Sequence, residues 1–142
     1  MPSARSSITI ARPVSDVFAY VADMSNARAW RPAVLDVELA SGDGLGAVYH
    51  QEVKGPGGRR IAADITLTAF EPNRRLAFQT VAGPVRPSGE YRFSEAPGGT
   101  EVTFSLEVTL TGWKKWLMSR AVQSTMEAEV ANLARLKQVL ES

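Results

Sequence analysis

Apolar side chains recur at every second position through most of this chain, and at every third or fourth position in two stretches. The first rhythm belongs to strands, the second to helices. Positions 6–10 alternate, with Ile8 and Ile10 on one face of a first strand. After Pro13, whose missing N–H costs nothing at a helix start, Val14, Val17, Phe18 and Val21 fall on one helical face. Ser25 is placed to cap a second short helix that runs through Trp30 and is stopped by Pro32. Six further strands are predicted over 34–40, 47–54, 60–70, 76–81, 89–94 and 101–111, with Leu35, Val37 and Leu39 sharing a face in the first of them. Turns rich in Gly, Pro, Asn and Asp separate them, so antiparallel pairing is expected.

No Pro or Gly interrupts the stretch from Trp113 to Ser142. Met118, Val122, Met126, Leu133, Leu136 and Leu140 form a stripe along it, which predicts a single amphipathic helix of roughly 40 Å. The fold class read from these elements is α+β. A curved, seven-stranded antiparallel sheet wraps the long C-terminal helix, and two short helices after strand one plug one end. Residues 1–142 make one domain.

A chain of 142 residues can bury enough surface to fold without disulfides or metal, and it contains no cysteine. That fits a reducing, cytoplasmic compartment. The N-terminus lacks the apolar core of a signal peptide, and no apolar run is long enough for stable membrane insertion. Sixteen basic residues nearly cancel fifteen acidic ones, and a net charge of +1 gives no electrostatic footprint for nucleic acid.

Several local patterns carry a family likeness. They are Pro13, Trp30-Arg31-Pro32, Gly46, and the runs Glu71 to Leu76, Gly89 to Phe93, Gly99 to Thr103 and Leu133 to Lys137. With them the chain resembles the START-like (SRPBCC) superfamily, in particular its small bacterial polyketide cyclase/dehydrase and lipid-transport group. The resemblance spans nearly the whole chain. It implies the helix-grip fold, with a deep, largely apolar cavity between sheet and long helix. It also implies binding of a small hydrophobic molecule such as a lipid or polyketide, or, as the alternative, cyclase or dehydrase chemistry on a carbonyl compound in the same cavity.

Candidate chemistry is sparse. The single histidine, His50, has the outward parity of its strand, so neither a histidine metal site nor a nucleophile triad is supported. No cofactor is expected. Tyr49, Gln51, Thr80 and Tyr91 are polar-tipped residues on the concave face. They either orient a ligand's oxygens or complete a mixed core. Glu129 falls inside the apolar stripe of the long helix, where a carboxylate is costly unless paired or wet. It is either a cavity-facing hydrogen-bond partner or base, or the partner of an arginine. The expected ligand-binding set is Trp30, Tyr49, Gln51, Ile65, Phe78, Thr80, Tyr91, Leu106, Val122, Met126 and Glu129. If the chain is an enzyme, Tyr49, Tyr91 and Glu129 are its candidate acids and bases. Trp113 and Trp116 beside Lys114 and Lys115 suit a membrane interface, a cover for the cavity mouth or a homodimer contact. A chain with a filled interior would instead be a non-catalytic interaction module.

Overall fold

The period-two stretches pair into one antiparallel sheet. The computed structural model describes residues 3–55, 58–83, 85–108 and 113–142, with side chains described outside 113–119. Its strands are β1 (Ser3–Ile10), β2 (Val34–Ser41), β3 (Val48–Lys54), β4 (Arg60–Ala62), β5 (Ile65–Glu71), β6 (Arg75–Thr80), β7 (Ser88–Ala96) and β8 (Gly99–Glu107). The spatial order is β1-β8-β7-β6-β5-β3-β2, with β4 paired to β3. Helix α1 (Val14–Ala22) and a 3-10 turn (Met24–Ala29) lie between β1 and β2, and helices α2 (Trp113–Ala131) and α3 (Leu133–Glu141) close the chain. This is the helix-grip arrangement.

Four local readings need correction. The stretch 60–70 is not one strand. It breaks at Ala63 and Asp64, where Asp64 accepts from the Gln51 backbone N–H at 3.1 Å and meets His50 Nδ1 at 3.0 Å. Both residues keep backbone bonds to their neighbours, Ala63 N to Gln51 O at 2.8 Å and Val81 N to Asp64 O at 2.7 Å. In β2 the expected face of Leu35, Val37 and Leu39 is not kept. The register shifts between Val34 and Asp36, so Val34 and Val37 are buried and Leu35 between them is not, while Leu39, in phase with Val37, is 53% exposed. The extra residue of a bulge reverses the alternation on its far side. The turn after α1 is capped by Asp23, whose carboxylate accepts from the Ser25 N–H at 3.1 Å, so Ser25 is the capped residue and not the cap. Finally, the long helix is divided at Asn132, whose N–H reaches Glu129 O at 3.1 Å in a tighter turn.

The core lies between the concave sheet face and the helices. Val102, Phe104 and Leu106 of β8, Leu76 and Phe78 of β6 and Tyr91 and Phe93 of β7 point inward and are buried. Phe18 of α1 meets Phe70 and Phe93 edge-on at 5.4 and 5.2 Å. Val122, Met126 and Val130 of α2 and Leu133 and Leu136 of α3 cover the sheet. Met118 lies outside the described side chains. Polar groups of the two helices reach the backbone around β1. Gln123 bonds both Ser3 N and Ser3 O, Lys137 Nζ donates to Thr9 O, and Glu141 accepts from Ala11 N.

Gly89 permits close packing across three strands. A Cβ there would stand 2.4 Å from Phe78 Cζ and 3.0 Å from Leu106 Cδ2. Phe78 and Leu106 are its cross-strand neighbours, so the two side chains cover bare backbone.

Candidate functional site

Trp30 ends the 3-10 turn and is 2% exposed. Its ring meets Tyr91 at 6.2 Å and Phe104 at 6.4 Å, both edge-on. Tyr91 stacks on Phe104 at 4.2 Å with 17° between planes, and Phe78 lies 6.2 Å from Tyr91. Strand pairing explains the stack, since Tyr91 and Phe104 are directly opposed in β7 and β8. Together these rings form a packed aromatic layer across the concave face.

Against that layer sits Arg31. Its Nε donates to Glu129 Oε2 at 2.8 Å, and the two side chains are 9% and 12% exposed. An arginine therefore pairs with the carboxylate that falls in the apolar stripe. The guanidinium also lies beside the Tyr91 hydroxyl. Burial works against the charge of Arg31, but Glu129 and Tyr91 outweigh it and raise its pKa. Burial pushes the Tyr91 phenol up to about 12, with Arg31 acting in the opposite direction. At neutral pH, Tyr91 is therefore an un-ionised phenol.

The other sequence-predicted residues spread along the concave face. Ile65, Leu106, Val122 and Met126 are buried apolar residues. Tyr49 is buried with its hydroxyl beside the Met24 backbone, and burial raises its pKa. The Gln51 amide donates to Ala63 O at 3.1 Å across the break between β4 and β5. Thr80 is buried and pairs with Ile65. The structure thus joins Trp30, Phe78 and Tyr91 through ring contacts and links Glu129 to them through Arg31, and Tyr49 lies in the same core cluster. Toward β3 and the segment after Gly83, Val53 and Val85 are half-buried against the core. Val34, which pairs with Val53, donates its N–H to Arg31 O at 3.0 Å. Trp113 and Trp116 lie outside the described side chains.

Arg31 is the residue the sequence reading did not select for the site. The available signal was Glu129 itself, since a carboxylate on an apolar stripe calls for a cation. His50 points outward, with its side chain 61% exposed. Among the described residues, no cluster of His, Cys, Asp or Glu could hold a metal, and no helix is long and apolar enough to cross a membrane. Two open depressions lie on the sheet's outer side. One is a groove of about 580 Å³ bordered by Arg5, Arg75, Glu90 and Ser105, and the other a hollow of about 310 Å³ beside Arg74, Arg92 and Glu101.

Residues 1–141 match the family described as polyketide cyclase / dehydrase and lipid transport. The chain belongs to that family. Solved structures share the fold. A protein from Thermus thermophilus is 20% identical with a TM-score of 0.81, over 96% of this chain and 95% of its own. One from Deinococcus radiodurans is 24% identical with a TM-score of 0.69, over 96% and 95%. The di-domain ARO/CYC StfQ from the steffimycin biosynthetic pathway is 12% identical with a TM-score of 0.80, over 97% of this chain and 49% of its own. The chain has no match among curated proteins.

Proposed function

We propose that this protein binds a small hydrophobic molecule, a lipid, a polyketide or a related compound, between the concave sheet face and α2. The observation that carries this reading is the make-up of that face. It is apolar and aromatic, and the buried polar or charged residues are few among the described residues, Arg31, Gln51, Thr80 and Thr100. Such a surface suits a site where apolar burial supplies affinity and a few polar groups set orientation. Burial at about 25 cal/mol per Å² would drive binding, less the ligand's lost freedom. Family membership and the shared fold support the same reading. The test is native mass spectrometry of freshly purified protein, followed by solvent extraction. A retained lipid-like or polyketide-like mass is expected. Protein that stays empty after incubation with a panel of such compounds would sink the proposal.

A second reading, cyclase or dehydrase chemistry, draws on one observation, the contact of Arg31 with the Tyr91 hydroxyl. A phenol beside a guanidinium can polarise a carbonyl. Turnover that survives both Tyr91→Phe and Glu129→Gln would remove this mechanism.

A further inference from the structure

Arg31 is the one charged side chain among the buried described residues, and it is held through a single N–H by one carboxylate. A buried ion pair is a weak source of stability, because the cost of removing both charges from water is comparable to their attraction. Well-packed apolar residues would serve the fold as well. The pair stands where the binding reading places the ligand, bridging from beside Tyr91 of the concave face to Glu129 of α2. It matters there that the positive charge of Arg31 is already balanced by Glu129.

We propose that the Arg31–Glu129 pair sets the charge selectivity of the ligand site, admitting uncharged carbonyl compounds such as ketones, quinones and esters, and turning away carboxylates. The inference rests on the binding reading above and narrows its ligand class. A carboxylate entering this end would lose its water, meet a guanidinium already satisfied and lie near a second carboxylate. A neutral carbonyl needs only a hydrogen-bond donor, and the guanidinium has N–H groups beyond the Nε bonded to Glu129. Arg31 acts as the donor. Glu129 is a positioning residue that also holds the local charge at zero.

Two probes of matched shape test this by isothermal titration calorimetry at pH 7: 2-acetylnaphthalene, a neutral ketone, and 2-naphthoate, a carboxylate. The wild-type protein is expected to bind the ketone at least about tenfold more tightly. Glu129→Gln frees the guanidinium, so naphthoate affinity should rise by about tenfold relative to ketone affinity in the same variant. In Arg31→Gln/Glu129→Gln both charges are gone, and naphthoate should gain nothing. This double variant keeps the test open if Glu129→Gln fails to fold, because a tenfold naphthoate gain in it would remove Arg31 from the account. Equal affinity of the wild type for both probes, or an unchanged naphthoate affinity in folded Glu129→Gln, overturns the charge selectivity and leaves the binding reading standing. Failure of both probes to bind any folded variant overturns both.

Discussion

Arg31 and Glu129 stand 98 positions apart in the chain and meet at 2.8 Å inside the protein. Removing one partner leaves the other buried and uncompensated. Glu129→Leu or Arg31→Met alone is expected to cost about 3–5 kcal/mol, whereas the two together should cost far less. Urea denaturation of the four proteins in a double-mutant cycle measures this coupling. Additive single and double effects would mean the pair is not coupled in the folded state.

The close cover of Gly89 makes a second substitution informative. Gly89→Ala places a Cβ 2.4 Å from the Phe78 ring, and one of the two must move. A loss of about 1–3 kcal/mol is expected, as for overpacking elsewhere. Gly89→Ala with Phe78→Leu should recover part of it. A thermal melt of Gly89→Ala that matches the wild type would contradict the geometry.

Alkaline pH acts through Tyr91. Its phenol is neutral in both folded and unfolded chains below about pH 10. As pH rises from there toward about 12, the unfolded phenol ionises first and the folded one resists. Stability is thus complete below the unfolded value and is lost as pH rises, by about 2–3 kcal/mol at the upper end. Tyr91→Phe should flatten this part of the denaturation profile between pH 10 and 12, and an equally steep fall in that variant would place the effect elsewhere.

Acid pH acts through Glu90 on the outer face. Its partial burial opposes the charge, but bonds from Arg75 and Arg92 outweigh that and hold its pKa below the ordinary carboxylate range. Its contribution is present above the unfolded pKa and is lost as pH falls through the folded one. Solvent screens the site, so Glu90→Gln should remove less than about 1 kcal/mol at neutral pH. Titration of the Glu90 carboxyl carbon by NMR checks the direction.

Alternation alone located the inward faces of β3, β7 and β8, because each of those strands has a wetter and a drier side, and that of β6 although Ala77 on its other face is buried too. It failed at Leu35 because one extra residue in an edge strand leaves no mark in composition. It failed at Ala63 and Asp64 because no Gly or Pro marks the break between β4 and β5. The division at Asn132 was hidden in the same way. Asn is a tolerable helix residue, and its tighter turn shows only in backbone bonding. Within the site, Trp30, Phe78, Tyr91 and Glu129 were legible one by one. Their meeting was not, because Arg31 joins the loop after the 3-10 turn to α2 through tertiary contact alone.

The helix side chains that grip the backbone around β1 bear on how copies of this protein could associate. Gln123, Lys137 and Glu141 occupy groups that an incoming chain would otherwise use. Of the sheet's two terminal strands, β2 is the one that carries no such clasp among the described residues. A ribbon that can be extended from one end only stops growing after a single addition, so strand-to-strand joining would end at pairs and could not propagate into fibrils.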